Sequence, residues 1–204
     1  VYQCGDVMFD NSLYFSKLSD ETSTILSENG LEANGYVLTT IHRDSNTDVA
    51  ENMEAIFSAL LTIQQQYGLT IVLPIHPRTK GKMKDQLSTE LLSAIEENPY
   101  FKIIPPAGFI DIIALEKNAR LIVTDSGGLQ KEAFFFEKPC VILRPQTEWV
   151  EIVNNGNAVL ADASKERIET AFTALMNKTD YSFPPFYGDG KAAEFICSKI
   201  IEDL

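Results

Sequence analysis

Three cysteines, two histidines and one tryptophan among 204 residues leave little room for several kinds of chemistry. Cys4, Cys140 and Cys197 are scattered and odd in number, and they form no Cys-x-x-Cys pair, which argues for buried thiols and against a disulfide framework. His42 and His76 are too few for a zinc site without carboxylate help and lack His-x-x-x-His spacing, so no metal and no cofactor is expected. Basic residues are also scarce. Seventeen Lys and Arg against 29 Asp and Glu give a formal net charge of -12, a field that opposes nucleic acid and anionic lipid. Neither is expected as a partner, and any anionic ligand must be held by a local site. No apolar run approaches the roughly 20 residues of a bilayer span, and no basic segment followed by an apolar one opens the chain. A cytoplasmic setting is the expectation.

What the chain does contain is an alternation of short apolar runs with longer amphipathic ones. Strands are predicted at 36–40, 69–73, 101–104, 121–124 and 140–143, with a weaker one at 158–160. Helical spacing covers 49–66, 82–98, 110–118, 129–136, 148–154 and 165–176, with further helices at 10–28 and 192–204. Helices between near-continuous apolar strands require both sheet faces to be covered. The fold class is therefore α/β, a three-layer Rossmann-like domain with a mainly parallel sheet. Residues 181–190, rich in Pro, Gly and aromatics, read as a linker before the last helix.

In such a sheet, ligands collect beyond the carboxyl ends of the strands. The chemistry-bearing residues fall there: His42 and Arg43 after the first strand, His76 and Arg78 after the second, Asp125 to Gly128 after the fourth, Arg144 to Glu148 after the fifth. Ser126, Gly127 and Gly128 open a helix whose free N–H groups attract phosphate, and the glycines carry no Cβ to hold a diphosphate away. Glycine at this turn also permits positive φ. The pattern is neither Gly-x-Gly-x-x-Gly nor a Walker loop, which favours a nucleotide-sugar over ATP.

Glu132 lies in the first turns of that helix, where accepting from ribose hydroxyls or simple interaction with the helix dipole are both open. A loop-bracing role is expected of Asp125. His42 is the best candidate for proton transfer or phosphate contact, with His76 second. Arg43, Arg78 and Arg144 suit phosphate clamping or pairing with nearby carboxylates. Thr147 and Glu148 beside Arg144 suit a sugar hydroxyl or amide. The sequence argues against a Ser-His-Asp hydrolase, because Ser126 sits in no Gly-x-Ser-x-Gly elbow and no histidine follows it.

Thr40-Ile41-His42-Arg43, Pro74-Ile75-His76-Pro77, Thr124-Asp125-Ser126-Gly127-Gly128-Leu129-Gln130-Lys131-Glu132-Ala133 and Arg144-Pro145-Gln146-Thr147-Glu148-Trp149-Val150-Glu151 together resemble the C-terminal half of the non-hydrolysing UDP-N-acetylglucosamine 2-epimerases. Phe134-Phe135-Phe136, the segment 147–151 and the segment 186–193 look more like the branch acting on UDP-2,3-diacetamido-2,3-dideoxy-glucuronic acid, a surface-polysaccharide precursor. The resemblance implies one half of a glycosyltransferase B type fold, with the ligand in a cleft against an N-terminal domain absent from this sequence. It divides the chain into a connector and helix (1–30), a Rossmann-like UDP-binding domain (31–180), and a linker with a C-terminal helix packing toward that absent domain (181–204).

The implied reaction inverts C2 of a UDP-2-acetamido sugar by eliminating and re-adding UDP. Ser126, Gly127 and Gly128 would hold the diphosphate and Glu132 the ribose. Gly108, Phe109 and Ile112 would contact uracil, and His42 would assist the leaving and returning UDP. Arg43 and His76 match positions that bind a second UDP-N-acetylglucosamine as effector in some bacterial members. The family's acidic proton-transfer residues lie in the other domain, so this chain alone is expected to be inactive. Two departures, Asp44-Ser45-Asn46 in place of x-Glu-Asn and Trp149-Val150 in place of Arg-Pro, bear on the sugar and on the effector. A homodimer is one expected assembly. A glycosyltransferase donor domain and a non-catalytic UDP-sugar module are the alternative functions.

Overall fold

The structure, a computed structural model, describes residues 1–203. Its centre is a wholly parallel sheet of β1 (Tyr36–Thr40), β2 (Thr70–Pro74), β3 (Phe101–Ile104), β4 (Leu121–Thr124), β5 (Cys140–Ile142) and β6 (Ala158–Leu160), in the order β3-β2-β1-β4-β5-β6. The strands are apolar at both alternating positions because both faces are covered. Val37, Ile71, Leu73, Leu121, Val123 and Val141 point into one core and Tyr36, Leu38, Val72, Ile122, Cys140 and Ile142 into the other.

The first core is closed by α4 (Ala50–Tyr67), α5 (Pro77–Gln86), α6 (Thr89–Glu96) and α10 (Lys165–Asn177). On α4 the stripe Met53, Ile56, Phe57, Leu60 and Ile63 is fully buried, and Gly68 ends the helix in the left-handed conformation at φ 67°. The second core is closed by α2 (Ile25–Glu28), α7 (Phe109–Asn118), α8 (Gly127–Phe135) and α9 (Val150–Asn154), with Phe9 of α1 (Val7–Thr22) against its edge. A short α3 (Asp44–Thr47) follows β1. The final α11 (Ala192–Glu202) lies against α1, whose Asp10 carboxylate accepts from the N–H groups of Ala192 and Ala193 at 3.1 and 2.7 Å.

This is a doubly wound Rossmann-like domain of the kind that forms one half of a glycosyltransferase B type fold. Two predicted helices are each two. Residues 82–98 divide at Leu87 and Ser88, because Ser88 caps a new helix through Leu91 N–H and gives its own N–H and hydroxyl to Glu54. Residues 10–28 divide at Ser23 and Thr24, where the Ser23 hydroxyl bonds Asp111 at 2.6 Å. The helix predicted from 148 starts at Val150. Among the described residues no helix is long and apolar enough to cross a membrane.

Candidate functional site

The chain leaves β1 for β2 on one side and returns through β4 on the other, so β1 and β4 flank the topological switch point. In open α/β sheets the crevice opens there. The pair is in register, Thr40 opposite Thr124, with their hydroxyls 2.6 Å apart. Both strands therefore end level, and the residues just beyond, His42 and Arg43 from β1 and Asp125 and Ser126 from β4, are forced together.

Asp125 is wholly buried and gathers the two loops. Its carboxylate accepts from the backbone N–H of His42 (3.0 Å) and Arg43 (2.9 Å) and from the Asn46 side-chain amide (3.1 Å), and it lies 3.1 Å from His42 Nδ1. Asn46 also donates to the Leu143 carbonyl at 3.0 Å, which ties in the end of β5. The expected bracing is therefore real. Asn46 is matched to the family pattern by sequence but given no role by it, because its partners lie 79 and 97 residues away.

Ser126 is the N-cap of α8, its hydroxyl accepting from Leu129 N–H at 3.4 Å and its N–H donating to the Thr124 hydroxyl at 2.9 Å. Gly127 and Gly128 occupy the first two helical positions, whose N–H groups have no intrahelical acceptor. Neither uses the positive φ that glycine permits. The helix begins directly after the strand and needs no left-handed residue.

Lys131 and Glu132 follow within α8. Burial pushes the Glu132 carboxyl up, with Lys131 acting in the opposite direction. Glu132 Oε2 lies 3.9 Å from where a Cβ on Gly128 would sit. Lys131 is buried, pairs with Asp6 at 2.5 Å and stands 4.2 Å over the Trp149 ring.

The arginines divide. Arg43 donates through Nε to the Asp125 carbonyl at 2.8 Å and is otherwise exposed. Arg144, buried, forms a two-pronged pair with Glu148 at 2.9 and 2.7 Å, and this bond holds the Glu148 carboxyl down at about 2. Arg78 turns away to Asp44 at 3.1 Å and to Asp48, the pairing expected of one of these arginines. The Thr147 hydroxyl donates to Gln130 at 2.5 Å and accepts from Trp149 N–H at 3.1 Å, so as folded both Thr147 and Glu148 are engaged within the protein.

His42, His76, Ile112 and Leu129 line one cleft of about 170 Å³, with the two imidazole centroids 6.2 Å apart. Gly108 is the N-cap of α7, and Phe109 at its first position is exposed and meets Phe15 edge-on at 5.0 Å. A larger hollow, about 650 Å³, lies elsewhere, between residues 3–5 and the start of α11. It carries no convergence of strand ends, and the smaller cleft is the better candidate.

The chain matches the family described as UDP-N-acetylglucosamine 2-epimerase over residues 1–201. It is 37% identical over 205 residues to a UDP-N-acetylglucosamine 2-epimerase homolog of Methanococcus maripaludis, covering 100% of this chain and 54% of the relative. It is 37% identical over 196 residues to the UDP-2,3-diacetamido-2,3-dideoxy-D-glucuronate 2-epimerase of Pseudomonas aeruginosa, covering 96% of this chain and 51% of the relative. Among solved structures, the UDP-GlcNAc 2-epimerase of Methanocaldococcus jannaschii in complex with UDP-GlcNAc and UDP superposes with a TM-score of 0.85 at 33% identity, over 98% of this chain and 54% of that one. The chain thus spans about half the length of the relatives it matches. It belongs to the UDP-N-acetylglucosamine 2-epimerase family.

Proposed function

We propose that this chain is the UDP-binding, C-terminal half of a UDP-sugar 2-epimerase that inverts C2 of a UDP-2-acetamido sugar for surface-polysaccharide synthesis. The observation that carries the reading is the switch point itself, where the open N-terminus of α8 and the His42 ring meet at the ends of β1 and β4. The Ser126 hydroxyl and the N–H groups of Gly127 and Gly128 take the diphosphate, Glu132 the ribose, and Gly108, Phe109 and Ile112 the uracil. Arg43, His76, Arg144, Thr147 and Glu148 surround the sugar and phosphates. Arg43 and His76 are also the groups that would meet an effector UDP-N-acetylglucosamine.

In the elimination, a base outside this chain removes the C2 proton and the C–H electron pair becomes a C1=C2 bond. As that bond forms, the C1–O bond breaks with its pair going to UDP, and His42 stabilises the departing diphosphate. Rotation of the intermediate, re-addition of UDP to C1 and delivery of a proton to the opposite face of C2 give the C2 epimer. The segments 134–136, 147–151 and 186–193 support the diacetamido-glucuronate branch.

Residues 1–30 form the connector, 31–180 the binding domain, and 181–204 the return toward the other half. The exposed Phe195, Ile200 and Ile201 of α11 support the last assignment. The full-length protein is to be incubated with each UDP-sugar and the C2 epimers separated chromatographically. Interconversion without an acceptor supports the reading, and turnover only when an acceptor sugar is added identifies a glycosyltransferase. UDP binding with neither reaction identifies a binding module.

A further inference from the structure

We propose that Asp125 is a positioning residue that sets the working orientation and protonation pattern of His42, beyond bracing its loop. The inference rests on the role given to His42 above. Asp125 has no exposure to solvent, and donors converge on its carboxylate: His42 N–H at 3.0 and 3.2 Å, Arg43 N–H at 2.9 Å, the Asn46 amide at 3.1 Å and His42 Nδ1 at 3.1 Å. An oxygen surrounded by donors fits the ionised, acceptor-only carboxylate. A carboxylate oxygen 3.1 Å from Nδ1 favours a hydrogen on that nitrogen over a lone pair, leaving Nε2 as the other ring nitrogen. When the ring takes a second proton, the positive charge forms beside a fixed negative one, and the Nε2–H is the group that reaches a diphosphate oxygen.

Two details separate this from packing. The His42 side chain is 41% exposed while Asp125 is fully buried, so the carboxylate contacts the ring from its covered side. His76, in the same cleft, is held in the opposite sense: its Nδ1 accepts from Arg78 N–H at 3.2 Å, which places the hydrogen of the neutral ring on Nε2. The two histidines therefore present different nitrogens in different protonation patterns. Asp125 is the group that makes His42 the one with Nδ1 occupied.

The test is a double-mutant cycle in the full-length enzyme, read as kcat and as UDP affinity. Asp125→Asn lowers kcat roughly 100-fold in the parent and by less than about threefold in the His42→Ala background. UDP affinity stays within about threefold of the parent in each variant. Equal losses of kcat in both backgrounds overturn the proposal, because a plain loop brace costs the same with or without the imidazole. Parent-like kcat in His42→Ala removes the reading of His42, and with it the proposal.

A measurement on the unmutated protein guards against misfolding of the variant. With ¹⁵N-labelled histidine at about pH 8, where neutral imidazole predominates for a free ring, long-range ¹H–¹⁵N correlations are expected to give the Nδ1–H tautomer for His42 and Nε2–H for His76. Loss of each signal in His42→Asn and His76→Asn supplies the assignment. A predominant Nε2–H tautomer at His42 overturns the proposal independently of any activity.

Discussion

The indole Nε1–H of Trp149 donates to the carbonyl oxygen of Gly127 at 2.8 Å, so the only tryptophan of the chain is bonded to the first residue of α8. Intrinsic fluorescence should therefore report occupancy directly. Titrating UDP into the protein is expected to give a saturable change in Trp149 emission, and no change at saturating UDP contradicts a diphosphate seat on α8. Trp149→Phe removes the bond at a cost of about 1 kcal/mol, seen in thermal melts, and lowers UDP affinity severalfold.

The two glycines separate fold from ligand. A Cβ on Gly128 would meet Met8 Cε at 3.5 Å, and one on Gly127 would meet Arg144 Nη1 at 3.7 Å, both ordinary contacts. Gly127→Ala and Gly128→Ala should therefore leave melting temperature unchanged or raise stability by up to about 1 kcal/mol. Calorimetry should show UDP affinity falling at least roughly 10-fold, the cost of a methyl group held against the ligand or of a displaced phosphate. Ser126→Ala behaves differently, since loss of the cap costs about 1 kcal/mol of stability as well.

Glu116 on α7 is fully buried, and among the described residues neither of its carboxyl oxygens has a hydrogen-bond partner. Burial, with Glu132 adding to it, pushes its carboxyl well above the ordinary range. A raised carboxyl stabilises the fold fully below the unfolded pKa, and that contribution is lost as pH rises toward the folded value. Glu116→Met should thus be close to neutral near pH 4 and stabilising by about 1–3 kcal/mol at pH 7. Thermal melts across this range check it, and a destabilised variant at pH 7 contradicts it.

The sheet was legible because each of its strands is an apolar run bounded by polar segments, and the helices between them left no other covering. Helix ends were less so. Met83, Leu87, Leu91 and Ile95 keep an unbroken i, i+4 spacing across the Ser88 cap, so the break between α5 and α6 leaves no trace in periodicity. The site was legible as strand ends on one edge, and the family resemblance assigned roles to them. What escaped were contacts made through sequence-distant partners: Asn46 across to Leu143, Trp149 back to Gly127, and Lys131 between Asp6 and Trp149. The burial that makes Glu116 unusual escaped as well, because a Glu on a helix otherwise rich in apolar residues reads as solvent-facing until its neighbours are known.

The central claim, that this chain supplies the UDP-binding half of an enzyme that breaks and remakes the bond at C2, is tested most directly in heavy water. The full-length protein is incubated with each UDP-2-acetamido sugar, and the recovered nucleotide-sugar is analysed by NMR and mass spectrometry. One deuterium at C2 of both epimers, with incorporation sharply reduced in His42→Ala, is the predicted result. Epimers formed without deuterium at C2, or no epimer with any UDP-2-acetamido sugar, contradict the account.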